Sequence, residues 1–218
     1  MSIISCVYVP EGIAMAADSR LTAHKSNSIG GKDRFAISDN AVKLFLLKKV
    51  RIGIGSCGDV SIDNILLSNI LESFEEEKVD FEDDVKSITE KLLNYFNEIY
   101  PKADVTFFVI GYRLNKPCVY RILNKEICID FDINSKFGAC WDGEKTILHG
   151  LMSNQMTNID YGKLPILDAV ELAEFMVEVV IKCQQFNAQL ATCGGPIDVL
   201  IITKDYAKFI KHKIINPR

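Results

Sequence analysis

The stretch GIAMAADSRLT (residues 12–22) decides how the chain is read. Small and apolar residues run without interruption from Gly12 to Ala17, then stop at Asp18, Ser19 and Arg20. An apolar run with no polar alternation is what a strand covered on both faces requires. Upstream, Ile3–Val9 is again β-branched and apolar, and Pro10-Glu11-Gly12 between the two runs has turn chemistry. A buried hairpin is predicted, with charged residues where its second strand leaves the core.

Working outward, residues 23–40 are polar and contain Gly30-Gly31, so an exposed loop is expected there. Ala41–Leu47 and Val50–Cys57 form a second predicted strand pair around Lys48-Lys49. The period then changes. Ile62, Leu66, Ile70 and Phe74 share one helical face within Asp59–Glu77, and Val85, Ile88, Leu92, Phe96 and Ile99 mark a second helix that Pro101 stops. The acidic EEEKVDFEDD (75–84) between them reads as a solvated linker whose end suits a helix N-terminus. Strands return at Ala103–Tyr112, Cys118–Leu123 and Glu126–Phe131. Helices are predicted over Gly143–Met156 and Leu167–Phe186, then strands over Ile197–Thr203 and near Lys208–Ile215. Strand groups alternating with helix pairs predict an α+β protein with two sheets face to face and helices outside, as a single domain over 1–218.

Composition narrows the function classes. The 218 residues are 48% hydrophobic and 25% charged, the balance of a folded soluble chain rather than a disordered one. A net charge of −4 without basic blocks argues against nucleic acid as the main partner. Seven cysteines without a C-x-x-C pair, and only three histidines (24, 149 and 212), argue against a zinc site or a disulfide framework. No basic flank with a long apolar core opens the chain, and no run approaches the roughly 18 apolar residues of a membrane span. A cytoplasmic protein with no membrane association is expected.

Four stretches carry a resemblance that covers nearly the whole chain: GIAMAADSRLT (12–22), AVKLF (41–45), IGIGSCGD (52–59) and GGPIDVLIIT (194–203). Their content and order are similar to the proteasome β-subunit and its bacterial relative HslV, which are N-terminal-nucleophile (Ntn) hydrolases. The resemblance implies a four-layer αββα sandwich. Counting back from Asp18 without a gap, the family's nucleophile falls on Ser2, exposed once Met1 is removed. Asp18 and Lys43 would then set the electrostatics, and the Gly55 amide would bind the reacting carbonyl oxygen. Arg20, Thr22, Gly53 and Cys57 would line the substrate cleft, with Cys193 and Gly194 in support.

Elementary chemistry agrees with that assignment. A hydroxyl becomes a nucleophile only when a base takes its proton. A freed Ser2 carries its own base, an α-amine with an ordinary pKa of about 7.7–8.0 that a neighbouring ammonium lowers. Lys43 is the candidate ammonium and Asp18 its counter-ion. Singly, each residue has a plainer reading: Asp18-Ser19-Arg20 as a strand exit with a surface ion pair, Lys43 as a snorkelling strand residue. Only their joint order points to catalysis.

The implied activity is peptide hydrolysis, with no metal or organic cofactor. The implied partners are a peptide or unfolded-protein substrate, further copies in a homo-oligomeric ring, and an ATP-dependent unfoldase. Three departures from the family pattern stand out. Serine replaces the usual threonine at Ser2. Gly138-Ala139-Cys140 stands where Gly-Ser-Gly is expected, and Leu190 and Cys193 replace a supporting aspartate and serine. These losses favour, as alternatives, a catalytically inactive scaffold subunit of the same kind or an amidase acting on a small molecule.

Overall fold

A computed structural model of the chain describes residues 2–26, 32–132, 134–152, 158–187 and 190–213, apart from the side chains of 24–26, 32 and 33. Met1, Gly30-Gly31, the His24 side chain and the ends of the expected Gly143–Met156 helix and Lys208–Ile215 strand lie outside the described residues.

The first hairpin forms as expected. β1 (Ile3–Val9) and β2 (Gly12–Ala17) pair antiparallel with Val9 opposite Gly12, and every residue of both is buried. Next come β3 (Leu21–Ser26) and β4 (Lys32–Ser38), which pair with each other alone. The chain continues through β5 (Leu44–Leu47) and β6 (Ile52–Gly58), then the two-residue strands β7 (Ser61–Ile62) and β8 (Ile65–Leu66). Helices α1 (Leu67–Lys78) and α2 (Val85–Ile99) follow. The acidic linker ends in an N-cap, for Asp84 Oδ1 accepts the amides of Lys86 and Ser87 at 2.9 Å each. A meander of β9 (Val105–Arg113), β10 (Lys116–Leu123) and β11 (Glu126–Phe131) leads to β12 (Gly138–Gly143). Its turns are Leu114-Asn115 and Asn124-Lys125, all four at positive φ, which suits two-residue hairpins. Then come α3 (Lys145–Met152), α4 (Ile166–Gln185), β13 (Asp198–Thr203) and β14 (Ala207–Lys211).

Two five-stranded antiparallel sheets result, in the orders β12-β1-β2-β13-β14 and β11-β10-β9-β6-β5. Alternation along β1 sorts its side chains. Ile4, Cys6 and Tyr8 join a core with Met15, Phe108, Ile110 and Leu200 between the sheets. Ile3, Val7 and Val9 pack instead with Ala173, Met176 and Val177 of α4. A third core joins α1 and α2 to the outer face of the second sheet through Phe74, Ile88, Leu92 and Phe107.

The four-layer αββα sandwich expected above is corrected by these observations. The described residues form a mixed helix and strand structure of four helices, the two five-stranded sheets and two further two-stranded ribbons. Among the described residues α3 covers eight positions and buries only Leu148. Most of the loop expected at 23–40 is a ribbon, because Ala23 faces Phe35 across a pairing that the polar residues disguised. The first expected helix starts late. Asp63 and Asn64 sit at positive φ and turn β7 into β8, so the helix begins at Leu67 instead of Asp59. Among the described residues no helix is long and apolar enough to cross a membrane.

Phe74 is fully buried in the helix-facing core and packs edge-on against Tyr95 at 5.4 Å between ring centroids. Phe74→Ala is expected to cost about 3–5 kcal/mol, the usual range for emptying a phenylalanine site. A urea unfolding curve checks this, and a midpoint unchanged from wild type contradicts the packing described.

Candidate functional site

Ser2 lies at the start of β1 and is only 4% exposed. It is in step with Ile4 and Cys6, on the strand face turned toward the inter-sheet core. Its carbonyl accepts the Glu144 amide at 2.8 Å, which extends the β1–β12 ladder by one pair. Gly143 makes this approach feasible. Its φ is +99°, and a Cβ there would lie 1.9 Å from the Ser2 carbonyl oxygen.

Asp18 follows β2 and is 1% exposed. Its Oδ1 accepts Lys43 Nζ at 2.6 Å and the Ile3 amide at 3.0 Å. Oδ2 accepts the amides of Arg20 at 3.1 Å and Gly194 at 3.0 Å. Four donors saturate the carboxylate. Lys43 is itself 1% exposed, so its ammonium is buried and paired rather than snorkelling to solvent. One oxygen thus binds both the cation and the amide joined to Ser2. The ammonium therefore stands no more than two hydrogen-bond lengths from the Ser2–Ile3 peptide.

The remaining expected residues divide. Gly194 belongs to the group through its bond to Asp18, and Cys193 adjoins it. Cys193 is held by its amide, which donates to Gln184 Oε1 at 2.8 Å. Cys57 is buried nearby, its thiol donating to the Asp142 carbonyl at 3.6 Å. Burial pushes the Cys193 thiol up to about 12 and the Cys57 thiol higher still, with the Lys43 charge only partly opposing. Neither is a ready thiolate, which weakens the rival thiol nucleophile.

Three assignments are corrected. Arg20 is not free for substrate: it grips Asp39 bidentately at 2.7 and 2.9 Å and donates to the Ala191 carbonyl at 3.2 Å. Gly53 is a packing residue of the inter-sheet core, where a Cβ would lie 2.6 Å from Leu200 Cδ2 and 2.9 Å from Ile110 Cγ1. Gly55 cannot offer its amide to a substrate. The amide of Ser56 donates to the Lys43 carbonyl and that of Asp59 to the Asp104 carbonyl, both at 2.9 Å. Backbone groups alternate sides along an antiparallel strand, so Gly55 shares the direction of Asp59 and points at Phe108 of β9. Thr22 lies on the β3–β4 ribbon opposite Ala36.

The structure adds residues that the sequence reading missed. Glu144 and Gly143 face Ser2, whereas Ala139 pairs with Val7 well along β1. Asp142 anchors this corner: it pairs with Lys145 at 2.8 Å and Arg121 at 3.4 Å, and accepts the Gly143 amide at 2.7 Å. Gln184 holds the 192–193 backbone, accepting the Thr192 amide at 2.9 Å as well as that of Cys193. The alternation of Ala139 and Trp141 with Cys140 and Asp142 was a strand signal available in the sequence.

Two small cavities are lined by sequence neighbours of the group but by none of Ser2, Asp18 and Lys43. One, of about 220 Å³, includes Glu144 and Thr192; the other, of about 200 Å³, is apolar and includes Leu21, Ala41 and Val42. Three larger cavities, of about 560, 520 and 430 Å³, likewise contain none of Ser2, Asp18 or Lys43. Among the described residues no cluster of histidine, cysteine, aspartate or glutamate is arranged to hold a metal ion. No protein-family model matches the chain, and no curated protein matches it either.

Asp18→Asn leaves the Lys43 ammonium buried without its counter-charge. The expected loss is about 3–5 kcal/mol of unfolding free energy, and adding Lys43→Met should return part of it. Urea denaturation of the two single variants and the double variant measures the coupling; strictly additive losses would contradict a buried pair. Iodoacetamide at pH 8 should alkylate the exposed Cys183 in the folded protein and spare Cys57 and Cys193. Peptide mass mapping reads this directly, and modification of Cys193 as fast as Cys183 contradicts the raised thiol.

Proposed function

We propose that the chain is an N-terminal-nucleophile hydrolase of the proteasome β-subunit kind, acting on peptide bonds. Breaking the Met1–Ser2 bond frees a Ser2 whose Oγ attacks the carbonyl while its own α-amine takes the proton. The observation that carries this reading is the convergence on Asp18 Oδ1 of the Lys43 ammonium and the Ile3 amide. A fixed positive charge close to the terminus lowers the α-amine pKa and enlarges its neutral, basic fraction near pH 7. Asp18 supplies the counter-charge to Lys43 inside the protein, at 2.6 Å. The seven free thiols support a reducing, cytoplasmic setting.

One observation favours a second reading, a non-catalytic subunit that assembles with active partners. With the Gly55 amide directed at β9, no residue is assigned to stabilise the charge on the reacting oxygen. Loss of a single such donor typically costs on the order of 10²–10³ in rate.

Covalent labelling separates the two. An electrophile directed at N-terminal serine or threonine, with intact mass and peptide mapping as readout, should form one adduct on Ser2 of the wild type and none on Ser2→Ala. Labelling should rise with pH through a midpoint at or below the ordinary α-amine value of about 7.7–8.0. A native protein that retains Met1, or an adduct that persists in Ser2→Ala, sinks the catalytic reading.

A further inference from the structure

Ser19 is fully buried, and its hydroxyl oxygen has no hydrogen-bond partner. Buried hydroxyls are ordinarily paired, because an unpaired one has lost its water bonds without replacement. Among the described residues two other buried side-chain atoms share this condition, Arg121 Nε and Asp130 Oδ2. Both belong to side chains that are held through their remaining atoms. Ser19 has no other polar side-chain atom. Its neighbours differ, for Asp18 and Arg20 each make several side-chain hydrogen bonds.

Strand pairing places this hydroxyl. The β1–β2 register sets Ile4 opposite Ala17, and the Asp18 amide, donating to the Ile3 carbonyl at 3.3 Å, extends it by one pair. The next pair is Ser2 with Ser19. Their backbones turn away from each other, as alternate residues of an antiparallel ladder do. The Ser2 carbonyl accepts the Glu144 amide, and the Ser19 amide donates to the Gly194 carbonyl at 3.0 Å. Facing residues of this kind carry their side chains on one face, with Cβ atoms about 4.5–5.5 Å apart. Two residues further along, Ile4 and Ala17 both lie in the inter-sheet core, on the face that Ser2 shares.

A carbonyl carbon bonded to Ser2 Oγ thus has an unpaired O–H beside it on the neighbouring strand. We propose that the Ser19 hydroxyl donates a hydrogen bond to the reacting carbonyl oxygen, the role that the Gly55 amide cannot take. This rests on the reading of Ser2 as nucleophile. As the bond from Ser2 Oγ to carbon forms, the carbonyl π pair moves onto oxygen and the hydroxyl proton passes to the Ser2 α-amine. Ser19 meets the oxygen at that stage. Collapse restores the C=O bond and breaks the C–N bond, and the departing nitrogen takes the proton from the α-ammonium. Water then hydrolyses the Ser2 ester. A donor with no partner in the resting protein gains most where the charge on its acceptor is largest, and an interaction strongest in the transition state is what accelerates a reaction.

The test compares two reagents on wild type, Ser19→Ala and Ser19→Cys, each processed to a free Ser2, with Ser2→Ala as the background. p-Nitrophenyl acetate acylates Ser2 through a carbonyl whose oxygen becomes charged. A peptide vinyl sulfone adds Ser2 Oγ to a carbon–carbon double bond and develops no charge on a carbonyl oxygen. Loss of the donor should slow Ser2-dependent acylation by about 10²-fold in Ser19→Ala. Ser19→Cys should be slowed as well, since a thiol is a weak donor. Vinyl sulfone labelling should hold its wild-type rate, and the pH midpoint of both reactions should stay in place because the α-amine is untouched. The urea unfolding midpoint of Ser19→Ala should equal or exceed that of wild type, an unpaired buried hydroxyl having been removed. A purely structural Ser19 slows both reagents alike and lowers the unfolding midpoint, whereas one that orients the α-amine moves the pH midpoint. Either result, or unaltered acylation in Ser19→Ala, overturns the proposal and leaves Ser2 as nucleophile. Absence of any Ser2 adduct in the wild type, from either reagent, overturns both readings.

Discussion

The Lys43–Asp18 ion pair is the contact on which the arrangement around Ser2 depends. An ammonium removed from water is tolerated only with a carboxylate close by and that carboxylate's other lone pairs satisfied. Asp18 meets both conditions, and its four donors come from four parts of the chain. Lys43 immediately precedes β5, Ile3 begins β1, Arg20 follows β2, and Gly194 lies in the segment entering β13. One side chain therefore ties the edge strand of the second sheet to three segments of the first. Removing the charge would loosen the very corner in which Ser2 sits. That is why a strand without a single polar residue ends in an aspartate.

Around this pair the charges are distributed unevenly. The Ser2 end of β12 is held by a partly buried network in which Asp142 links Arg121 and Lys145, and Arg121 also meets Asp130 at 2.9 Å. Burial raises the Asp130 carboxyl, and Arg121 only partly offsets it. Such a network contributes little net stability, but the buried Asp142 carboxylate keeps both cations at this corner. Gly143 and Glu144 inherit their positions from it. The cation on one side of Ser2 and the anchored acidic strand on the other leave the start of β1 between opposite fields.

Much of this was legible in the residues, and the exceptions have physical causes. The hairpin at 3–17 announced itself because full burial on both faces demands an unbroken apolar run and the turn needs Pro-Glu-Gly. Helix α2 was visible for similar reasons, with periodic apolar residues, a capping aspartate and a terminal proline. The β3–β4 ribbon was hidden because a strand pair outside the main sheets carries little apolar periodicity. Helix α1 was misplaced because Ile62 and Leu66 continue its period into a segment that Asp63 and Asn64 divert into a turn. In the site, Ser2, Asp18, Lys43 and Gly194 could be named from residue type and order. Glu144 could not, since its relation to Ser2 is a matter of strand pairing across most of the chain length.

The Gly55 assignment shows where residue identity ceases to be informative. A glycine at a strand end near a lysine is chemically suited to present an amide to a substrate, and nothing in IGIGSCGD argues otherwise. Whether it does so depends on ladder parity. Each residue of an antiparallel strand offers both backbone groups to one neighbour, and the next residue offers them to the other. The bonds of Ser56 to Lys43 and Asp59 to Asp104 fix that parity for all of β6, and they assign Gly55 to Phe108. Moving the register by one residue would reverse every such assignment while leaving the composition of the site unchanged. The same parity aims the Ser2 carbonyl at Glu144 and leaves its side chain on the inter-sheet face. Chemistry at this corner is therefore set by pairing register as much as by residue type, and the ion pair at Asp18 is what holds that register in place.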